Sequence, residues 1–349
     1  MHLLLAAPLA LLAAPLLWRQ LHQRRLARLL VHAGPHAIAE SRFVRLGGVD
    51  QWIGVRGEDR QNPVLLILHG GPGCPYSIFT PIMRSWERHF TIVQWDRRGV
   101  GKTLGRNGKA GCGPLSFPRM VDDAIELAEH LHHRLPGTRQ IVLGASMGNL
   151  IGIPLVKRRP DLFAAYVATD LGVDLRSETV GWQRTRERLL AAGPRKTLAR
   201  LTAIGPDPTR WTLAQWQTKQ QILMQTDPRM HEVGKRLLLP AILTAPEHSL
   251  RDVLHILQGL EFAAAALFAE YIAHDTRALG PRYELPFCLL QGDSDLFTPT
   301  ELATAYFHEV EAPHKQLALI RAAGHFAAFT RPEQFLHELL TRVRPLALA

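Results

Sequence analysis

Ser146 lies in a sequence context that can turn its hydroxyl into a nucleophile. The motif G-x-S-x-G at 144–148 directly follows an apolar stretch that ends at Leu143. Between a strand and a helix, this motif places small residues on both sides of a serine that is held in a strained conformation with its hydroxyl exposed. The helix that follows would also direct free N–H groups at developing negative charge. The alternative interpretation is a glycine-rich turn in which the serine only caps a helix.

A base and an orienting acid for Ser146 are predicted in the C-terminal part of the chain. A serine hydroxyl is a poor nucleophile at neutral pH unless a histidine accepts its proton and a carboxylate orients that histidine. His325 and Asp295 each follow a predicted strand. Asp293 is the rival acid, and we prefer Asp295 because it sits farther into its loop. The chain order Ser146, Asp295, His325 is the order that α/β-hydrolases use.

A second glycine-rich turn can supply donors for the oxyanion of an acyl-transfer reaction. The motif H-G-G-P-G at 69–73 ends the predicted strand 64–68, where glycines allow the backbone to approach a substrate closely. We predict that the backbone N–H groups of Gly71 and Met147 form an oxyanion hole. The alternative is a tight turn that merely needs positive φ angles, and both interpretations can hold together.

The elements that must position these residues alternate between strands and helices. Continuous apolar runs are typical of strands that are buried on both faces, and helical patterns separate most of them. This alternation predicts an α/β fold with a mostly parallel central sheet and helices on both faces. The predicted strands are a hairpin of 43–46 and 51–55, followed by 64–68, 91–95, 140–143, 165–168, 287–290 and 316–320.

One long interval of the chain interrupts this alternation. From about Asp174 to Tyr283 there is no convincing strand, but several helical stretches occur between Gly-Pro and Asp-Pro breaks. We interpret this interval as a helical cap that is inserted over the carboxyl edge of the sheet. The predicted division is an N-terminal anchor with a basic juxtamembrane helix (1–40), a first core part (41–173), the cap (174–283) and a second core part (284–349).

The N-terminus carries a candidate membrane segment. No charged residue occurs from Leu3 to Trp18, although this run is slightly shorter than the roughly 20 residues of a spanning helix. The residues that follow are rich in arginine, at Arg19, Arg24, Arg25 and Arg28. By the positive-inside rule, we predict an uncleaved anchor with the catalytic domain on the cytoplasmic side. The alternatives are a soluble cytoplasmic protein and an exported one.

Composition excludes several classes of protein. The chain has 349 residues, of which 46% are hydrophobic and 21% charged, so it is neither a disordered chain nor a polytopic membrane protein. Its three cysteines have no metal-ligand spacing, and the sequence contains no phosphate loop and no dinucleotide fingerprint. We therefore predict no metal and no cofactor. The net charge of +10 comes without a zinc spacing or an aromatic-interleaved basic stripe, so we predict no nucleic-acid partner. The oligomeric state stays open.

The motifs together resemble those of the proline iminopeptidase family of α/β-hydrolases. They are H-G-G-P-G at 69–73, D-x-R-G-x-G at 96–101, G-x-S-x-G at 144–148, and the segments 292–299 and 324–326. The resemblance runs from about Val64 to the C-terminus and implies an α/β-hydrolase fold and a serine peptidase. In this fold the acid usually lies three residues after the glycine with a proline following, which favours Asp295.

The sequence departs from this family at two positions and leaves one of its functions unassigned. Met147 stands where the family usually has tryptophan, and Arg97 stands where it usually has glutamine. Peptidases of the family bind the free amine of the substrate with acidic cap residues. Glu178, Glu187 and Glu261 are the available candidates for substrate binding, although solvated helix charges are the ordinary explanation for such residues.

The function that we predict is a serine hydrolase that works through an acyl-enzyme. The resemblance implies release of N-terminal residues, preferably proline, from small peptides. A carboxylesterase, lipase or lactonase on the same three residues is the first alternative. A non-catalytic hydrolase-like protein that binds a ligand under the cap is the second.

Overall fold

A computed structural model describes the backbone of residues 3–348 and the side chains of residues 14–348. In this part of the chain the strands are β1 (Ile38–Leu46), β2 (Val49–Gly57), β3 (Val64–Leu68), β4 (Thr91–Asp96), β5 (Gln140–Ala145), β6 (Phe163–Thr169), β7 (Phe287–Gly292) and β8 (Lys315–Ile320). Besides short 3-10 and π turns, the helices are α1 (Leu3–Leu29), α2 (Gly101–Gly111), α3 (Phe117–Arg134), α4 (Asn149–Arg158), α5 (Arg176–Ala192), α6 (Arg195–Ile204), α7 (Leu213–Thr226), α8 (Pro228–Val233), α9 (Leu239–Thr244), α10 (Leu250–Ala273), α11 (Thr300–Glu309), α12 (Ala327–Thr330) and α13 (Pro332–Glu338).

These strands form one sheet in the order β1-β2-β4-β3-β5-β6-β7-β8. Strands β1 and β2 make an antiparallel hairpin, β2 pairs antiparallel with β4, and all other neighbours pair in parallel. The predicted mostly parallel sheet is confirmed, and each predicted strand lies within an observed one. The carboxyl ends of β3, β5, β6, β7 and β8 therefore meet at the same edge of the sheet.

The sheet is buried on both faces, and every residue of the central strands β3, β4, β5 and β6 is buried. All five residues of β3 are buried. Leu66 packs in a cluster with residues of α3 and α4, whereas Leu65 packs in a cluster with residues of α12 and α13. Alternate side chains of one strand thus contact helices on opposite faces, as expected for a parallel sheet inside an α/β layer structure.

Helices α5–α10 occupy the interval between β6 and β7. We call residues 174–283 the cap, and its status as a separate domain remains a prediction. Helix α10 approaches the core so closely that a Cβ atom on Gly73 would lie 2.4 Å from the carbonyl oxygen of Gly259. Lys102 Nζ donates a hydrogen bond to the carbonyl of Glu247 at 2.6 Å. These contacts hold the cap against the loops that follow β3 and β4.

The N-terminal helix α1 contacts the cap near the start of α10. The side chains of residues 1–13, the first part of the predicted anchor, lie outside the described residues. Arg19 donates hydrogen bonds to the carbonyls of Leu243 and His248, at 2.7 and 2.5 Å. Among the described residues, α10 is the helix that is long and apolar enough to cross a membrane by length and composition. Because core helices of soluble proteins can meet the same criterion, α10 alone does not place the chain in a membrane.

Candidate active site

Ser146 lies at the turn between β5 and α4, at the carboxyl edge of the sheet. Its φ angle is 52°, which is the left-handed region that side chains other than glycine rarely adopt. The turn is tight because Gly148 passes close to β3, so that a Cβ atom there would lie 2.0 Å from the carbonyl oxygen of Leu68. A glycine at 148 is therefore a steric requirement of the turn that presents the serine hydroxyl.

His325 lies between Ser146 and Asp295. Its Nε2 is 3.2 Å from the hydroxyl of Ser146, and its Nδ1–H donates to Asp295 Oδ2 at 2.8 Å. Asp295 follows β7 and His325 follows β8, so two neighbouring parallel strands bring them to the same edge as the serine. The three residues that the chain order suggested are thus connected by one hydrogen-bonded path.

The carboxylate of Asp295 is fixed by its own loop. Its Oδ1 accepts backbone N–H bonds from Phe297 and Thr298 at 2.8 and 3.0 Å, and its Oδ2 accepts the Thr298 hydroxyl at 2.6 Å. The rival Asp293 instead accepts the backbone N–H groups of Ala322 and Ala323, at 2.8 and 3.3 Å. Asp295 is therefore the carboxylate of this loop that bonds His325.

A second carboxylate, which the sequence analysis did not identify, lies beside the same histidine. Asp170 comes directly after β6, is buried, and has a φ angle of 49°. Its Oδ2 accepts the backbone N–H of Phe326 at 3.2 Å. Ligand atoms of Asp170, Asp295 and His325 all lie within 4.8 Å of one another. Its position at the carboxyl end of a parallel strand is the signal that could have pointed to it.

Burial and the neighbouring carboxylates act on the pKa of His325 in opposite directions. Burial raises the pKa of Asp170 to about 6. Burial also acts to lower the pKa of His325, but the Asp295 and Asp170 carboxylates outweigh it and raise that pKa to about 9. Among the described residues, these three form a group whose atom types and short mutual distances resemble those of a metal site. Because His325 already bonds Asp295 through Nδ1, we interpret the two aspartates as carboxylates that stabilise the protonated form of this histidine.

The predicted oxyanion residues line the same cavity as Ser146. Gly71 and Met147 both border it. The H-G-G-P-G loop is held from behind by the buried guanidinium of Arg97, which donates to the carbonyls of His69, Gly70 and Pro72 at 2.5, 3.2 and 2.9 Å. In a trans peptide unit the N–H group points away from the carbonyl. Because Arg97 bonds three carbonyls of the loop, the N–H groups of those peptide units point away from Arg97. The loop therefore has the rigidity that an oxyanion hole requires.

The cavity lies between the sheet edge and the cap and has a volume of about 540 Å³. Ser146 and His325 open into it. The side chains that border it are mostly apolar, and Met147, Leu150, Leu257, Leu260, Phe297 and Phe326 are among them. This is large enough for a small substrate with an apolar group.

A family model named serine aminopeptidase, S33, matches residues 60–329. The chain belongs to this family. The probable aminopeptidase YbaC of Bacillus subtilis (strain 168) is 26% identical over 312 residues, which cover 88% of this chain and 97% of the relative. A proline iminopeptidase from Mycobacterium smegmatis superposes with a TM-score of 0.62 at 17% identity, covering 88% of this chain and 99% of that one. A membrane phospholipase A superposes with a TM-score of 0.58 at 18% identity, covering 100% and 97%. The structural likenesses confirm the α/β-hydrolase fold that the motifs imply.

In this S33 chain, the first candidate for amine binding is already neutralised. Glu178 borders the cavity, but its Oε2 accepts the ammonium of Lys219 at 2.7 Å. Its Oε1 accepts hydrogen bonds from Trp216, Gln220 and Tyr271 at 2.9, 2.8 and 2.7 Å. Although burial acts to raise it, Lys219 and these hydrogen bonds keep the pKa of Glu178 below its usual value. Its acceptor positions are therefore occupied before any substrate arrives.

The two other acidic candidates lie in different places. Glu261 is exposed on α10 and borders the cavity. Glu187 is exposed on α5 and is not among the residues that line the cavity. Of the three glutamates, Glu261 is therefore the one that combines access to the cavity with an uncompensated charge.

Proposed function

We propose that the protein is a serine hydrolase that cleaves carboxylic esters with an apolar acyl group through an acyl-enzyme. The observation that carries the proposal is the hydrogen-bonded path from Asp295 through His325 to Ser146, which ends in a mostly apolar cavity. A path of this kind gives a weakly nucleophilic hydroxyl a histidine that can accept its proton, and it gives that histidine a carboxylate that fixes its orientation.

In the proposed reaction, Ser146 Oγ attacks the substrate carbonyl carbon while His325 Nε2 takes the hydroxyl proton. The N–H groups of Gly71 and Met147 donate to the oxyanion of the tetrahedral intermediate. His325 then gives its proton to the leaving oxygen as the bond to it breaks, which leaves an acyl-enzyme. Water, deprotonated by the same histidine, attacks the acyl carbon. The bond from that carbon to Ser146 Oγ then breaks as His325 returns the proton to Oγ, which releases the acid and restores the enzyme. Asp295 keeps the imidazole in one orientation and stabilises its positive charge throughout.

Two properties of the cavity favour an ester with an apolar acyl group. Its lining is dominated by leucine, methionine and aromatic side chains, which stabilise apolar groups by removing them from water. Glu178, the buried carboxylate of the lining, is paired with Lys219 and hydrogen-bonded to three donors. The deep part of the cavity therefore offers no free negative charge to a substrate ammonium.

Removal of an N-terminal residue, preferably proline, is the second candidate function. It is favoured by the S33 family match and by the likeness to a probable aminopeptidase. Glu261, at the border of the cavity, is the carboxylate that would bind the free amine of such a substrate. Both candidates use the same nucleophile. They differ in the leaving group, which is an alcohol or an amine, and in the acyl group, which is apolar in the ester and carries a free amine in the peptide.

A fluorophosphonate probe tests the shared chemistry. We expect the wild-type protein to be labelled covalently and to hydrolyse activated esters, and Ser146→Ala to lose labelling and roughly 10⁴-fold or more of the activity. Ser177→Ala, which removes another buried serine outside the cavity lining, is the matched control and should retain both. A folded wild-type protein that takes no label would instead indicate a non-catalytic ligand-binding protein.

A substrate panel separates the two candidates. We expect p-nitrophenyl esters to be hydrolysed with kcat/KM rising as the acyl chain lengthens to fill the cavity. Prolyl and leucyl naphthylamides should be poor substrates. If the naphthylamides are cleaved well, and if Glu261→Gln raises their KM without changing KM for the esters, the aminopeptidase assignment replaces the esterase one.

We also propose that the apolar run 3–18 anchors the chain with its catalytic part on the cytoplasmic side. Support comes from the arginines that follow the run, of which Arg24, Arg25 and Arg28 are exposed. In bacterial cells that express the full chain, protease added outside spheroplasts should leave the catalytic part intact, and lysis should expose it. Cleavage in intact spheroplasts would contradict this orientation.

A further inference from the structure

Two neighbouring cap helices expose leucines, one of which borders the cavity. On α10, Leu250, Leu254 and Leu257 are spaced one helical turn apart and are 49%, 57% and 52% exposed. On α9, Leu239 and Leu243 are likewise one turn apart and exposed. We call these five residues the leucine face. Side chains at this spacing share one side of a helix, so each set is a continuous apolar stripe.

Helix α10 is strongly apolar, although the rest of the protein covers little of it. It is apolar enough by composition to cross a membrane, yet only 28% of that apolar stretch is buried in the protein. The cap segment 237–246 that precedes it contains no charged residue. Exposed apolar side chains that are grouped on two neighbouring helices favour an interaction site, since leaving them in water is unfavourable.

The N-terminal helix continues this surface toward the predicted anchor. Arg19 bonds the carbonyls of Leu243 and His248, and Gln23 bonds the carbonyls of Ala245 and His248. Both residues therefore fasten α1 to the connection between α9 and α10. On the N-terminal side of Arg19 in α1, residues 16–18 are exposed and apolar. Residues 16–18, the end of the apolar N-terminal run, thus directly precede Arg19, which bonds the carbonyl of Leu243 in the leucine face.

We propose that the leucine face docks on the surface of a lipid bilayer. Exposed basic residues accompany it: Arg24, Arg25 and Arg28 on α1, and Arg251 on α10. Apolar side chains with arginines beside them fit the acyl boundary and the anionic headgroups of a membrane. A second copy of the chain is a poorer fit, because a two-fold contact through this face would bring these arginines toward their own copies.

The docked orientation would place the mouth of the cavity at the membrane. Leu257 belongs to the leucine face and also lines the cavity that contains Ser146. A substrate dissolved in the bilayer could then reach the nucleophile without crossing water. This consequence rests on the proposed function and specifies its substrates as acyl esters that reside in a membrane. The docking surface itself does not depend on catalysis.

Site-specific fluorescence tests the docking surface. A polarity-sensitive fluorophore is attached to Leu254→Cys or to Leu190→Cys in the full chain. Leu190, on α5, is 56% exposed and is the matched control for Leu254. The protein is bound to vesicles of phosphatidylethanolamine and phosphatidylglycerol that contain doxyl-labelled lipid. We expect a blue shift and strong quenching at 254 and little change at 190. Vesicle-bound protein without quenching at 254 would overturn the proposal.

A lipid-free titration identifies the competing occupant. A blue shift at 254 that grows with protein concentration and is unchanged by vesicles would mean that a second copy covers the face, which also overturns the proposal. These readouts require no turnover, so a failure of the proposed function would leave them intact.

A pair of variants tests the consequence for substrate. Leu250→Glu combined with Leu254→Glu should reduce hydrolysis of a vesicle-borne ester by roughly tenfold and leave hydrolysis of a soluble short-chain ester unchanged. Neither leucine lines the cavity. Leu190→Glu should change neither rate. Equal rates on the vesicle-borne ester for the double variant and the wild type would show that substrate does not enter through a docked leucine face.

Discussion

His325 lies beside two carboxylates that make different hydrogen bonds. Asp295 accepts its Nδ1–H at 2.8 Å, whereas Asp170 lies in the same cluster and accepts a backbone N–H from Phe326. A buried imidazolium is unfavourable in a low-dielectric site unless negative charge lies close to it. In the proposed mechanism, the two carboxylates therefore stabilise the protonated histidine that forms when Ser146 attacks. We infer that Asp170 is a positioning residue that adjusts the basicity of the histidine.

Asp170→Asn should move the pH profile of the reaction toward acid. The asparagine keeps an oxygen for the Phe326 N–H but removes a negative charge that raises the pKa of His325. Since the unprotonated histidine is the base, the acidic limb of kcat/KM should fall in pH by about one unit. Asp293→Asn, on the neighbouring loop, should leave the limb in place. A uniform loss of activity with an unmoved limb would mean that Asp170 only supports the fold.

The sequence reveals the residues of this site very unevenly. Ser146 stands in a motif, and its partners follow strands in the expected chain order, so the meeting of the three at one edge of the sheet could be predicted. Their catalytic roles stay a prediction. Asp170 stands in no motif. Its relevance depends on β6 lying between β5 and β7 in the sheet, which brings the residue after β6 next to the loops after β7 and β8. Strand order is a property of the whole sheet, and for that reason local patterns did not point to this aspartate.

The H-G-G-P-G loop is an element whose shape depends on one side chain outside it. Arg97 donates hydrogen bonds to three carbonyls of that loop and is buried. It occupies a position where the resembling family usually has glutamine. Burial lowers the pKa of Arg97 to about 10, which still leaves it charged at neutral pH. The loop is therefore braced by a cation that a shorter amide cannot replace geometrically.

Arg97→Gln should reduce kcat roughly ten- to a hundred-fold with a smaller change in KM. A glutamine reaches fewer of the three carbonyls, so the N–H of Gly71 loses its fixed direction toward the oxyanion, which develops only in the transition state. Steady-state kinetics on a soluble ester measure this split. Arg98→Gln is the contrasting variant, because Arg98 bonds the buried Asp123 at 2.5 Å. It should lower Tm and leave kcat of the folded protein nearly unchanged.

The strands of the core could be predicted well because each is a short apolar run bounded by polar or glycine residues. The cap could be predicted only as a helical interval. The rotation of α9 and α10 about their axes decides which leucines face the cavity and which face outward. That rotation is set by contacts with the core, such as the approach of Gly259 to Gly73, and no local pattern encodes it. The pairing of Glu178 with Lys219 depends on the same helix arrangement.

At the scale of the whole molecule, part of the excess positive charge lies on the N-terminal helix α1. The net charge of +10 includes exposed arginines of α1 beside the exposed apolar residues of α1 and the cap. Long-range electrostatics of this kind favours an anionic surface and gives no direct information about the fold. The N-terminal helix is bonded to the cap, so under the docking proposal this attachment would affect how the leucine face meets a membrane.

Replacing both Arg19 and Gln23 by alanine should release α1 from the cap without disturbing the active site. The change removes four hydrogen bonds to the carbonyls of Leu243, Ala245 and His248. Such bonds contribute on the order of 1 kcal/mol each, so local opening should become at least about tenfold more frequent. Hydrogen exchange should accelerate in residues 19–30 and 243–250, with fluorophosphonate labelling of Ser146 unchanged. Unaltered exchange would show that other contacts dock the helix, and Arg24→Ala on the same helix should leave exchange unaltered.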